Sequence, residues 1–438
     1  MLAAVAAKPP PSALTATPSW AAKRARGARR RRRVPSPSRR CWADLTYGVA
    51  GAIAEHALAN DVSDYMSFRA VCRGWRRGTD DDAALRPPHH RCLDDRRFHP
   101  HQWIMLREAA PPGPGRHRRR FLNVATGQCV HTELPELDGH RLLGATTEGL
   151  LVMLDESTFA ARVLNPVTRQ VAELPSLDPL LPPETRTKIS KYGLAYGFKV
   201  TGFGLAGGDS AVALCVYDPT MVIVARPGDE RWTLVDDERW FYSALSFSGR
   251  FYCVNNESVM ALGTTANNKQ PPRLVVAAKV NFPVWLKSRD SLRLVENDGR
   301  LLLIRRQLST RGQSTYCWIR EYKDIHAVDL AAKETVAVTG LSGRAVFLGK
   351  TRALSVSPLV FPSIRADTVY PAATMWEKME MGVGSYGVLD GSIERCKVRM
   401  IRKMYEDDEM DGGWARPCGI DDYLSWYVSR KCNAIEEI

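Results

Sequence analysis

The feature that most limits what this chain can fold into is a repeat in its first half. Leu122-Asn123-Val124-Ala125-Thr126 leads to Leu134-Pro135-Glu136-Leu137, and Leu164-Asn165-Pro166-Val167-Thr168 leads to Leu174-Pro175-Ser176-Leu177. The two asparagines stand 42 residues apart, inside the roughly 40 to 50 residues of one four-stranded propeller blade. Each unit reads as a strand, a turn begun by the short Asn side chain, a return strand and an exit at Leu-Pro. Weaker echoes are Val328-Asp329-Leu330 with Thr335-Val336, and Val388-Leu389-Asp390-Gly391-Ser392-Ile393. A small sheet cannot bury both of its faces alone, so the period predicts a ring of stacked sheets.

The flanking sequence agrees. From Trp103 to about Trp426, short apolar runs alternate with turn residues, and sustained 3.6-residue periodicity is almost absent. Leu292 to Val295 and Leu301 to Ile304 flank Asn297-Asp298-Gly299, and Ala244 to Phe247 and Phe251 to Val254 flank Ser248-Gly249. Both are hairpin signals, because Asn, Asp and Gly tolerate positive φ. The body is therefore expected to be mainly β, and about 320 residues at this period make roughly six to eight blades.

Ahead of it, Trp42 to Arg77 is helical in texture. Leu45, Val49 and Ile53 recur at intervals of four, Ala57 and Leu58 continue that face, and Asn60-Asp61 supplies a polar break and a cap. Tyr65, Phe68, Val71, Cys72 and Trp75 then share a second stripe flanked by Arg69, Arg73 and Arg76. A helical hairpin of this size has too little core of its own. It is either an appendage packed on the larger body or a docking module completed by a partner.

Charge is unevenly placed. The chain of 438 residues has 61 Lys plus Arg against 48 Asp plus Glu, a formal +13. Residues 1–40 carry 11 of the basic side chains and no acid, which leaves 50 basic against 48 acidic residues in the rest. This Ala-, Pro-, Ser- and Arg-rich tail is expected to be disordered, since it has few large apolar groups to offset the entropy of ordering. Its run KRARGARRRRR reads as a nuclear import signal or a non-specific anion-binding tail; an organellar transit peptide is a third reading, supported by the Arg- and Ser-bearing, acid-free composition and disfavoured by the lack of a strong apolar face. Placement in nucleus or cytoplasm follows. Nucleic acid is expected to bind only non-specifically through this tail, because acidic stretches such as Glu406-Asp407-Asp408-Glu409 balance the basic runs of the body. The longest uncharged stretch, Pro9 to Ala22, is 14 residues, short of the roughly 18 that a spanning helix needs. No membrane partner is expected, and ten scattered cysteines without a C-x-x-C pair fit a reduced intracellular compartment.

Candidate chemistry is sparse. Gly202-Phe203-Gly204-Leu205-Ala206-Gly207 satisfies G-x-G-x-x-G, but Ala211 to Tyr217 after it reads as a strand and not as the helix a pyrophosphate needs, so a flexible hairpin loop accounts for the glycines. His89, His90, Cys92, His99 and His101 cluster within 13 residues without a second Cys-rich half, so a solvated connector is favoured over a zinc site. His131, His140 and His326 are isolated, and motifs of hydrolases, zinc proteases and phosphate loops are missing. Neither an enzyme, nor a cofactor, nor a metal is expected.

Trp42 to Arg77 resembles an F-box. Trp42-Ala43-Asp44-Leu45 opens it, Ile53-Ala54 stands at the family's Ile-Leu pair, and Phe68-Arg69-Ala70-Val71-Cys72-Arg73-Gly74-Trp75-Arg76 is similar to its closing R-x-V-C-x-x-W-R segment. The body resembles the β-propeller of plant KIB-type F-box proteins at Arg97-Phe98-His99-Pro100, Trp103-Ile104, Leu122-Asn123, Ala161 to Pro166, Arg231 to Leu234, Ala366 to Tyr370, Tyr386 to Ser392 and Trp414 to Pro417. The organisation expected is a tail (1–40), an F-box-like module (41–78), a connector (79–100), a KIB-type propeller (101–430) and a short C-terminal tail (431–438).

The resemblance implies a non-catalytic adaptor of a Skp-cullin-F-box ubiquitin ligase. Its helices would bind the Skp-type linker subunit, and its propeller a protein target whose identity the sequence does not carry. The linker contacts expected are Leu45, Val49, Ile53, Leu58, Val62, Tyr65 and Val71, with Phe68, Cys72 and Trp75 as module core. Thr46 stands where the family has proline, and Ala54 and Ala57 are smaller than its leucines. A propeller scaffold or regulator outside a ligase is the alternative, and a nucleic-acid-associated protein acting through the basic tail is a second.

Overall fold

The computed structural model describes residues 42, 45–80, 93, 95–106, 117–207, 210–263, 271–281, 291–310, 318–349, 351–371, 383–395 and 420–428. The chain divides into two compact units, Met1–Asp44 and Leu45–Ile438, and the elements below lie in the second. The tails expected over 1–40 and 431–438, His89, His90, Cys92, and Trp414 to Pro417 fall outside the described residues.

Three helices come first: α1 (Tyr47–Asn60), α2 (Val62–Val71) and α3 (Arg73–Asp80). The expected hairpin is thus a three-helix unit. Cys72 is extended (φ −157°, ψ 166°) and breaks the second stripe, so Trp75 belongs to α3.

The body is mainly β, and its described strands make six blades. The first holds β1 (Trp103–Met105), β2 (Arg118–Asn123) and β3 (Cys129–Glu133); the second holds β4 (His140–Ala145), β5 (Leu151–Asp155), β6 (Ala160–Leu164) and β7 (Val171–Ser176). The helices α4 (Pro183–Tyr192) and α5 (Leu194–Gly197) lie between the second blade and the third. The third blade is β8 (Lys199–Ala206), β9 (Ala211–Asp218), β10 (Thr220–Ala225) and β11 (Thr233–Asp236). The fourth is β12 (Ser243–Phe247), β13 (Arg250–Val254), β14 (Ser258–Gly263) and β15 (Arg273–Lys279), and the fifth is β16 (Ser291–Asn297), β17 (Arg300–Thr310), β18 (Trp318–Asp329) and β19 (Glu334–Ala337). A parallel bridge, Lys279 to Glu334, joins their outer strands into one eight-stranded sheet.

In the sixth blade, β20 (Ala345–Leu348) pairs with β21 (Ala353–Val356) and, in parallel, with β22 (Thr368–Pro371); β23 (Val383–Gly387) and β24 (Ile393–Arg395) follow outward. The helix α6 (Ile420–Tyr427) packs on β20 and β22.

Ring closure can be read from the packing. Six apolar clusters fill the six spaces between neighbouring blades. In the space between the sixth and first blades, Leu424, Tyr427 and Val428 of the α6 segment join Ile104, Leu122, Phe347 and Tyr370. Strand β9 shows why the sequence there is a continuous apolar run: Val212, Leu214 and Val216 face the second blade, while Ala211, Ala213 and Cys215 face the fourth. A strand buried on both faces has no polar side to display, and each fully buried Leu or Val contributes on the order of 2 kcal/mol.

The two expected hairpins form as β16–β17 and β12–β13, with Asp298 (φ 54°) before Gly299 (φ 71°) and Ser248 (φ 46°) before Gly249 (φ 75°). The G-x-G-x-x-G segment is a correction in part: Gly207 (φ 77°) sits in the turn after β8, as expected. Gly202 and Gly204 sit inside β8 and not in a loop, and a Cβ on either would overlap Ala244 or Ser246 of β12. The glycines let two inner strands approach closely, a packing role rather than a flexible one. On β16, the buried Arg293 donates from Nε to Gly349 O (2.9 Å) and from Nη1 to Tyr242 O (2.6 Å), tying the fifth blade to backbone beside the fourth and sixth.

Burial also sets cysteine reactivity. It pushes the Cys215 thiol up to about 12 and the Cys253 thiol well above its ordinary value, whereas Cys129 is exposed. Since the thiolate is the nucleophile, iodoacetamide at about pH 8 should alkylate Cys129 and spare Cys215 and Cys253 until denaturant is added. Peptide mapping that found Cys215 modified as fast as Cys129 in the folded protein would contradict this packing.

Candidate functional site

The helical unit is joined to the ring by polar groups that the repeat itself supplies. Asp61, between α1 and α2, accepts from Ser63 N (2.6 Å) and so caps α2. The same carboxylate accepts from Trp103 Nε1 (2.9 Å) and Asn123 Nδ2 (3.2 Å) of the first blade. Asn123 Oδ1 meanwhile accepts from Ala125 N (2.9 Å) and Thr126 N (3.1 Å), which forms the turn between β2 and β3.

Asn165 does the same one repeat later. Its Oδ1 takes Val167 N (3.1 Å) and Thr168 N (3.2 Å), and its Nδ2 donates to Phe98 O (2.8 Å) of the connector. Each repeat asparagine therefore shapes a turn with its oxygen and holds the N-terminal segment with its nitrogen. Asp329 and Asp155 make the corresponding turns as acceptors: Asp329 takes the amides of Ala331 and Ala332, and Asp155 takes the Ser157 hydroxyl (2.6 Å) with the amides of Ser157 and Thr158, hydrogen bonds that lower its carboxyl to about 2. An ionised aspartate accepts but cannot donate, so only an asparagine can both shape the turn and donate to the N-terminal segment.

Apolar contacts complete the junction. Ala50, Ala54 and Leu58 of α1 bury with Val62, Tyr65 and Phe68 of α2 around Phe98, which meets Tyr65 edge-on at 5.7 Å. The small alanines at 50 and 54 let α1 lie close to its neighbours. Arg69 forms an ion pair with Asp80 (2.8 Å), so α2 and α3 are clamped at their far end. Arg96 Nη2 reaches Gly207 O (3.0 Å), so the connector spans from the helices to the third blade. Beside it burial raises the Asp95 carboxyl, but hydrogen bonds and charge from Arg97 outweigh this and hold it below the ordinary value.

Against this geometry the expected residues divide. Val49, Ile53 and Val71 are exposed (49, 37 and 61 %), and Leu45 is half-buried. Leu58, Val62 and Tyr65, expected as outward contacts, are buried within the chain and face Phe98; this is a correction, and its cause is that the connector folds back under α1 and α2. Phe68 is buried as expected and stacks on Trp75 at 4.5 Å, while Trp75 and Cys72 are only half-buried. Tyr47 was not among the expected contacts and is 64 % exposed beside Val49 in the first turn of α1. Its only sequence signal is an aromatic side chain off the buried stripe.

Among the described residues no group of three or more His, Cys, Asp and Glu could hold a metal ion, and His99 and His101 have their rings 5.8 Å apart. No described helix is long and apolar enough to cross a membrane.

Comparison with solved structures gives distant likenesses. The major allergen Mala s 1 of Malassezia sympodialis is 10 % identical over 52 % of this chain and 90 % of its own, with a TM-score of 0.25. The dihydro-heme d1 dehydrogenase NirN is 11 % identical over 59 % and 57 % of the two chains (TM-score 0.28), and YCF48 of Cyanidioschyzon merolae is 10 % identical over 56 % and 80 % (TM-score 0.26). No curated protein gives a significant match. The KIB1-4 β-propeller profile, by contrast, matches residues 121–390, which run from β2 to the turn after β23 and comprise more than half of the sequence. With the six blades closed as described, the chain belongs to the KIB1-4 β-propeller family.

Proposed function

We propose that the chain is a substrate-recognition adaptor of a Skp-cullin-F-box ubiquitin ligase, with no reaction chemistry of its own. The observation that carries this reading is the α1 surface: Val49 and Ile53, one turn apart, stay exposed together with Tyr47 and Val71, whereas Ala50, Ala54, Leu58, Val62, Tyr65 and Phe68 are buried around Phe98. A helix that buries a narrow Ala50-Ala54-Leu58 stripe and keeps β-branched side chains outside suits a groove on a second protein. Family membership supports a propeller as the protein-interaction body. The F-box-like residues Phe68 to Arg76 support the linker subunit as the partner of the helices. Rigid attachment through Asp61 would hold a bound target at a set distance from the ligase, so that proximity does the catalytic work.

The reading is tested by capture of the purified Skp-type linker on the full-length chain. Ile53→Asp should weaken capture at least about tenfold, or about 1.4 kcal/mol, with an unchanged thermal melt because the side chain is partly solvated. Capture that is undiminished in a folded Ile53→Asp variant, or absent in the parent chain, would favour the alternative of a propeller scaffold outside a ligase.

A further inference from the structure

The end of the ring away from the helices carries a row of aromatic rings contributed by three separate stretches of the chain. The turns at Gly207 and Gly249 lie at the helix end, where Arg96 approaches both. Lys199 and Tyr217 occupy the opposite ends of β8 and β9, and Tyr242 precedes β12 at that same end. There Tyr192 meets Tyr196 (centroids 4.9 Å apart), and Lys199 Nζ stands over both Tyr196 (5.1 Å) and Tyr217 (5.7 Å). The row continues from Tyr217 to Trp240 (5.8 Å) and from Trp240 to Tyr242 (4.5 Å). Tyr192, Tyr196, Tyr217 and Trp240 are 55, 55, 38 and 46 % exposed. Contiguous exposed aromatics on this scale mark an interaction surface, and Tyr and Trp are the side chains that carry binding energy most often.

The charge around the row is divided between two poles. At one, Lys188 and Lys199 both stand 3.4 Å from Asp218, and Lys191 lies over Tyr192 at 4.9 Å. At the other, Asp237 and Glu238 are exposed just before Trp240, while Arg239 pairs with Asp236 (2.6 Å). Across residues 178–199, 218 and 236–239, five basic side chains meet six acidic ones. Binding a nucleic-acid backbone requires a cationic surplus, and this surface has none. Polyproline segments, by contrast, are preformed and dock on aromatic faces with little entropy to lose.

We propose that this row is a docking surface for a proline-bearing extended segment of the target protein, its acidic residues meeting the Lys188, Lys191 and Lys199 pole and its basic residues the Asp237 and Glu238 pole. This rests on the reading of the propeller as the target-recognition body.

The test uses the full-length chain and fluorescein-labelled dodecapeptides. One has the sequence DDPPAPPAPPRR, a second carries the two charged ends exchanged, and a third has alanine at every proline. Anisotropy should show saturable binding of one charge order over the other, and at least tenfold weaker binding of the alanine peptide. The double variant Tyr217→Ala with Trp240→Ala should weaken binding at least tenfold with an unchanged melt, Trp240→Phe should retain it, and Lys191→Glu with Lys199→Glu should weaken the preferred order selectively. No binding by either proline peptide, or binding indifferent to the double variant, overturns the proposal. So does binding of a uridine dodecamer that the double variant abolishes, which would make the row a single-strand RNA platform. Linker capture is run on the same proteins: peptide binding lost with capture intact removes this proposal alone, and capture absent with peptide bound removes the adaptor reading alone.

Discussion

Asp61→Ala is expected to destabilise the attachment of the helical unit by about 3 kcal/mol and to raise amide hydrogen exchange throughout α1, α2 and α3. The figure combines the loss of a helix N-cap, typically about 1 kcal/mol, with about 1 to 3 kcal/mol for stranding the Trp103 indole N–H and the Asn123 amide that now share the carboxylate. Exchange in β9 and β13, two blades and more away, should stay at the parent rate, because Asp61 touches only the first blade. Uniform acceleration over the whole chain, or none in the helices, would contradict the junction described. The Asp61→Asn variant separates the two contributions: it keeps an oxygen that can accept from Ser63 N and removes the charge that strengthens the bonds from the ring.

Gly202→Val is expected to cost about 3 kcal/mol or more of global stability, the upper range for overpacking, because the obstacle is backbone. The new Cβ would overlap the Ala244 carbonyl on β12, and a carbonyl in a paired strand cannot turn aside as a side chain can. The third and fourth blades would have to separate along their inner strands. Equilibrium denaturation reads the loss directly, and a midpoint within error of the parent would show that the inner strands do not approach as closely as described.

Much of the propeller was legible along the chain, and particular residues show why. The 42-residue spacing of Asn123 and Asn165 exposed the period, since an Asn acceptor two and three residues before backbone amides is a local device that works wherever the turn occurs. Asn297-Asp298-Gly299 and Ser248-Gly249 marked hairpins for the same reason: positive φ is a property of the residue and its neighbours. The helical texture of 45–77 and the Asp61 cap were likewise local. Legibility ended where a role depended on chain far away in sequence. Leu58, Val62 and Tyr65 looked like an open helix face because nothing near them announces that Phe98 will lie beneath. The glycines of β8 looked like a loop because the strand they accommodate begins some forty residues later.

The sequence by itself determined the mainly β character, the repeat length, the turn positions, the near-neutral body beyond a basic tail and the helical segment before it. All of these follow from local propensity, side-chain periodicity or simple counting. The tertiary structure alone decided that the described strands make six blades, that the α6 segment fills the space between the sixth and the first, which α1 side chains remain outside, and that Tyr192, Tyr196, Tyr217, Trp240 and Tyr242 form one row. Those outcomes depend on which distant surfaces exclude water from one another. Burial is a property of pairs of surfaces, and no single segment carries it.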